Sequence, residues 1–158
     1  MPFSHAPDDY FCNFCRIARL EAFPGLDGIH TTNEHVVLHD DDITAFVASH
    51  WWPNNPGHVL VIPNEHWENV YDIPPRLGEP ILRATQRLAL AMKSAYGCDG
   101  ISTRQHNEPA GNQDMWHFHQ HVFPRFDGDD LYLRHHDRAL APMADRTEAA
   151  EQLRAALA

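Results

Sequence analysis

Between residues 35 and 62 the apolar positions fall into three short runs, His35–Leu38, Ile43–Ala48 and His58–Ile62. The first two flank the Asp-rich stretch His39–Asp42 and read as a β-hairpin. Trp51–Gly57 (WWPNNPG) is turn chemistry throughout and leads into HVLVI, a strand stopped by Pro63, which cannot donate to a ladder. From Pro80 to Ala95 the spacing changes: Ile81, Ala84, Leu88, Ala91, Met92 and Ala95 recur at three and four, while Arg83, Arg87 and Lys93 fall elsewhere. That periodicity predicts an amphipathic helix with one face on a sheet. Gly97 and Gly100 end it, Ile101–Gln105 reads as a strand, HNEPAGNQD as a loop, Trp116–Phe123 as a further strand and Thr147–Leu157 as a second helix. A connection bearing Gly, Pro and Asp, Phe23–Asn33, follows the early C-x-x-C pair. Strands joined mostly by short turns around one long helix predict an antiparallel α+β domain. The predicted organisation is a loose polar head over residues 1–10, the domain over 11–140 and a helical tail over 141–158.

Composition narrows this picture. A chain of 158 residues suits one domain with a real core. No stretch approaches the ~18 consecutive apolar residues of a membrane span, and the opening MPFSHAPDDY lacks the basic-then-apolar order of a secretion signal, so a soluble cytoplasmic protein with no membrane partner is expected. The formal charge of −10 argues against long DNA or RNA, whose affinity comes mainly from Lys and Arg neutralising phosphates. A small phosphate compound remains compatible, because backbone N–H groups, a few histidines and one or two arginines can hold it locally. Cys12 and Cys15 are too close in sequence for an extracellular disulfide framework and point to metal or redox chemistry; the βαβ context of a redox dithiol is missing around them.

Candidate chemistry concentrates in WHFHQHVF. If this is a strand, His117, His119 and His121 share one face, with imidazoles ~7 Å apart. With 13 histidines in the chain, such a triple arises by chance in roughly one sequence in twelve of this composition, so alone it decides little. It gains weight from its ordered neighbours: the C-x-x-C pair, PGHVLVIPNEH, and an N-x-x-A-G segment ten residues before His117.

From about Cys12 to Arg125 this set resembles the histidine triad (HIT) family, in its zinc-bearing, Hint-like branch. The resemblance implies an antiparallel sheet of about five strands with helices, and pairing into a homodimer. It implies that His119 attacks the α-phosphorus of a small nucleotide to form a nucleotidyl-histidine that water then opens. His121 would hydrogen-bond a phosphate oxygen, and His58 would complete the histidine cluster. A neutral imidazole suits this task, since a pKa of about 6.5 leaves one ring nitrogen free at neutral pH while the other is held by a hydrogen bond. The resemblance also assigns Cys12, Cys15, His66 and His117 to Zn²⁺; two thiolates and two imidazoles make a closed, structural site. Asn107, Gln113 and Asp114 fall at positions expected near the phosphates or leaving group, though Asn107 before Pro109 equally suits a turn.

Several residues depart from the family pattern. Gln120 occupies a spacer usually apolar. Asp114 stands where a serine is usual; ionised it would repel phosphate, and with a raised pKa it would serve as an acid. After Phe46 the usual ribose-binding aspartate is missing, and Ala48-Ser49-His50 stands there instead. Trp51 and Trp52 can stack on a base or simply pack. Arg104 and Arg125 are the nearest cations to the motif, either phosphate ligands or solvated. The expected activity is hydrolysis of a nucleoside phosphoramidate or dinucleoside polyphosphate, or nucleotidyl transfer, with Asp114 favouring neutral amine leaving groups. Two other readings stay open: a nucleotide-sensing module without turnover, and a hydrolase using a metal on His117, His119 and His121.

Overall fold

The computed structural model describes residues 3–21 and 30–158; most of the Phe23–Asn33 connection lies outside them. A short helix α1 (Asn13–Ala18) begins directly after Cys12, whose sulfur accepts from the Cys15 backbone N–H as an N-cap. The hairpin β1 (Val36–His39) and β2 (Ile43–Val47) follows, its turn held by the Asp40 carboxylate, which accepts from the N–H groups of Asp42 and Ile43. The Trp51–Gly57 stretch is not turn throughout: β3 (His50–Trp51) pairs with a later two-residue strand before the turn begins. Then come β4 (Val59–Pro63), α2 (Gly78–Tyr96), β5 (Gly100–Gln105), β6 (Gln120–Arg125), β7 (Ala139–Leu140) and α3 (Met143–Leu157). Helix α2 stops at Gly97, which takes the left-handed conformation (φ 62°) that glycine adopts without a Cβ clash.

Five strands form one antiparallel sheet in the order β1-β2-β4-β6-β5. Every residue of the central strand β4 is buried, and alternation divides them by face. Val59 and Val61 join Ala45, Val122, Leu88 and Met92 under α2, with Ala149, Ala150 and Leu153 of α3 in the same core. Leu60 and Ile62 face the other way, with Phe46, onto Phe14 and Ile17 of α1. Residues 141–158 thus contribute to the main core through α3.

One correction concerns the histidine strand. Regular pairing begins at Gln120, so the expected strand Trp116–Phe123 loses its first four residues and continues to Arg125. The physical reason lies in the backbone donors: the Trp116 N–H goes to the Tyr10 hydroxyl, that of His117 to the Met115 carbonyl, and that of Phe118 to the Trp67 carbonyl. These bonds, to Tyr10 of the N-terminal segment, to the local chain and to the loop after β4, take the donors that a sheet ladder would need. Residues 3–10 carry no helix or strand, yet the Ser4 hydroxyl and the His5 N–H both donate to the Glu68 carboxylate.

Candidate active site

Two groups of side chains meet where β6 begins. Cys12 and Cys15, brought close by the first turn of α1, face His66 from the loop after β4 and His117. One donor atom from each lies within 4.8 Å of the others. The Cys12 sulfur is 3.3 Å from His117 Nδ1, and the Cys15 sulfur 3.2 Å from His66 Nδ1 and 3.5 Å from His117 Nδ1. The other nitrogen of His117, Nε2, donates to the Pro63 carbonyl at 2.9 Å. This bond fixes the tautomer and leaves Nδ1 unprotonated toward the sulfurs, the outer-shell arrangement usual for a metal-ligating imidazole. The hydrogen bond from Cys15 holds the Cys12 thiol far below its ordinary value. Two sulfurs and two imidazole nitrogens at these separations fit Zn²⁺ in a closed tetrahedral site.

Two residues on, the bonding is reversed. His119 Nδ1 donates to the His117 carbonyl at 2.8 Å, so the proton sits on Nδ1 and Nε2 is the free nitrogen. His119 is buried and lines a cavity of about 220 Å³, and burial pushes its pKa below the ordinary imidazole value. Beside it, at 5.1 Å between ring centroids, lies His121. His121 stacks on Phe123 and faces His58, with His121 Nδ1 3.5 Å from His58 Nε2. Burial holds His121 well below the usual range and His58 down to about 3. All three imidazoles are therefore neutral at pH 7. Phe14 presents its edge to both His117 and His119, at 5.9 and 5.4 Å, and so fills the space between the two histidine groups.

The cavity has an apolar end formed by Phe14, Ile17, Phe46 and Leu60, and a polar rim that includes His30, Ser49, His50, Asp114 and Arg138. A second, larger cavity of about 580 Å³ adjoins it and shares Trp52, Asp114, His121 and Arg138.

The remaining expected binding residues divide. Asp114 lines both cavities and pairs with Arg138 at 3.3 Å. Gln113 borders the second cavity, but its amide is engaged: it donates to the Glu68 and Met115 carbonyls and accepts from the Glu108 N–H. Asn107 lines neither cavity; its side chain accepts from the Val70 N–H and from Gln105 and donates back to Gln105. Of the two tryptophans, Trp52 borders both cavities, whereas Trp51 packs in the main core with its indole N–H on the Ala48 carbonyl. Arg125 turns to Asp129, with two bonds of 2.7 and 2.8 Å. Arg104 borders the second cavity. Sequence reasoning missed Arg138 and His30, since neither adjoins a motif; they reach the rim from the segment before β7 and from the edge of the N-terminal connection.

A family profile described as HIT domain matches residues 30–128. Adenosine 5′-monophosphoramidase HNT1 of Saccharomyces cerevisiae is 31% identical over 75% of this chain and 65% of its own length. Adenylylsulfatase HINT3 of Arabidopsis thaliana is 29% identical over 82% of this chain and 61% of its own. The alignment thus spans under two thirds of each of these relatives. Among solved structures, a Zn-bound histidine triad family protein from Mycobacterium smegmatis superimposes with a TM-score of 0.73 at 30% identity, covering 92% of both chains.

Proposed function

This chain belongs to the HIT domain family, and from that premise we propose that it is a nucleotide hydrolase or nucleotidyl transferase working through a covalent nucleotidyl-histidine on His119. The observation that carries the reading is the orientation of His119: Nδ1–H is tied to the His117 carbonyl and Nε2 is left free at the cavity. Nε2 attacks the α-phosphorus, the N–P bond forms, and the bond to the leaving group breaks with its electron pair. Water then attacks phosphorus, the N–P pair returns to Nε2, and the nucleotide is released. Splitting one displacement into two is the gain from the covalent step. His121 donates to a phosphate oxygen, and His58 holds His121 from behind. The substrate class is a nucleoside phosphoramidate or a mixed anhydride such as a dinucleoside polyphosphate, its base toward Phe46 and Leu60.

Cys12, Cys15, His66 and His117 hold Zn²⁺, which supplies folding free energy and not chemistry, because the donor set leaves no open position. The same assignment weighs against a metal on His117, His119 and His121, since His117 is already turned to the sulfurs. We further propose a cytoplasmic homodimer. Exposed Leu82 and Leu90 on α2 and the outer edge of β5, unpaired among the described residues, support pairing of copies, and no helix among the described residues is long and apolar enough to cross a membrane.

The test is to mix protein with radiolabelled adenosine 5′-phosphoramidate, quench in base, where an N–P bond survives, and map the label. Label on His119 is expected, absent in His119→Gly. Tight nucleotide binding without label or turnover would instead establish a sensing module.

A further inference from the structure

Resting on the nucleotidyl-transfer reading of His119, we propose that the second cavity receives the leaving group, and that Arg104 and Arg138 there select an anionic oxygen leaving group, a sulfate or a phosphate, over an amine.

The two arginines of neighbouring strands are treated differently. Arg125 on β6 is neutralised by Asp129 through paired bonds. Arg104 on β5 has no carboxylate among the described residues. Its guanidinium lies 4.4 Å from the Phe123 ring centroid, 5.2 Å from Trp52 and 5.7 Å from Tyr132, and its buried Nε has no hydrogen-bond partner. An aromatic platform of this kind orients a cation without cancelling its charge. A buried donor left unpaired carries a desolvation cost that an incoming acceptor relieves.

Arg138 approaches from the segment before β7. Its bonds to Asp114 are 3.3 and 3.4 Å, longer than the ~2.7–2.9 Å of a well-made charged pair, and both side chains are largely exposed. Such a pair is weak and exchangeable. Among the described residues Asp114 is the single acidic one lining the second cavity, so two guanidiniums stand there against one carboxylate in a chain of net charge −10. His106, His135 and His136 add further donors. A local excess of positive charge on an acidic protein favours a small anion there. The repulsion by Asp114, from which the sequence led to neutral leaving groups, is answered by Arg138.

The chemistry follows. As His119 Nε2 forms the N–P bond, the P–O bond breaks and its electron pair departs on the sulfate or phosphate oxygen. That charge develops against the guanidiniums and requires no proton. An amine must instead gain a proton as P–N breaks, and adjacent cations disfavour its ammonium form.

The experiment compares kcat/KM for adenosine 5′-phosphosulfate, diadenosine tetraphosphate and adenosine 5′-phosphoramidate in wild type, Arg138→Gln and Arg104→Met. Both substitutions are expected to lower the two anionic substrates by roughly 10- to 100-fold and the phosphoramidate by less than about 3-fold. The better of the two anionic substrates in wild type identifies the leaving group as sulfate or as the polyphosphate end of ATP, which departs from diadenosine tetraphosphate. Equal losses on all three, or a wild-type preference for the phosphoramidate, would overturn the proposal. Should none be turned over, the catalytic reading of His119 fails, and calorimetry still decides the cavity. Inorganic sulfate or phosphate titrated into AMP-saturated protein should bind wild type on the order of 10-fold more tightly than either variant. Equal binding, or none up to tens of millimolar, would overturn it independently.

Discussion

His117 and His119 stand two residues apart, are both buried, and both touch Phe14, yet they are given opposite bonding. In His117 the far nitrogen Nε2 is tied to a carbonyl and Nδ1 faces two sulfurs; in His119 Nδ1 is tied and Nε2 faces the cavity. An imidazole has one donor and one acceptor when neutral, so whichever nitrogen the backbone takes determines the use of the other. A single carbonyl per ring thus leaves Nδ1 of one side chain for the sulfurs and Nε2 of the other for the cavity, the division on which the proposed ligand and nucleophile roles rest.

The comparison breaks most visibly at His119. His119→Ala should lose turnover by at least ~10³-fold, because no neighbour forms the same intermediate, while its melting temperature and zinc content stay near wild type. Turnover within a few-fold of wild type would end the assignment. The reverse pattern belongs to the other group: Cys12→Ala or His66→Ala should release the roughly one Zn²⁺ per chain and several kcal/mol of stability. A metal-free wild type of unchanged melting temperature would contradict this.

His121→Ala sharpens the division within the cavity, with an expected rate loss of ~10²–10³ and no change in zinc. An effect as large as that of His119→Ala would make His121 the nucleophile instead.

Titration separates the burial of the histidines from their bonding. His35 and His58 have folded pKa values lowered to about 4 and about 3 by burial, below the ordinary 6.5. In the unfolded chain they protonate near 6.5, so between there and the folded values the unfolded state binds more protons. Stability is therefore fullest above pH 6.5 and falls as pH drops, by up to about 1.4 kcal/mol per pH unit for each group. Denaturant melts from pH 8 to 5 should give a shallower slope for His35→Gln than for wild type. The rate profile has the same sign: with His119 lowered, the acid limb of kcat/KM should lie below pH 6.5.

The smallest effect is expected at Asp114. Because Arg138 answers its charge, Asp114→Ser should change the ratio of sulfate to amine leaving-group kcat/KM only by a few-fold, in favour of sulfate. A shift toward the amine would show Asp114 acting as a proton donor.

Much of this was legible in the sequence for local reasons. Short runs bounded by turn residues located β2, β4 and β5, and a spacing of three to four located α2, to within a few residues, since both signals are local in the chain. The metal set Cys12, Cys15, His66 and His117 was nominated through the resemblance of the ordered segments to the HIT family, because a motif is a statement about covalent order. The start of β6 was not legible, because the N–H groups of Trp116 and Phe118 are claimed by Tyr10 and Trp67, far away in sequence. Nor was the withdrawal of Asn107 and Arg125 from the cavity, decided by Val70, Gln105 and Asp129.

By itself, then, the sequence determined which residues are available for chemistry and which face of α2 turns to the sheet. The tertiary structure alone decided the tautomer of each histidine, which arginine is neutralised, and that Arg138 meets Asp114 at the rim. Those outcomes depend on which carbonyl or carboxylate arrives within about 3 Å, a distance at which hydrogen bonds and ion pairs form and beyond which they fade. No local periodicity encodes that proximity.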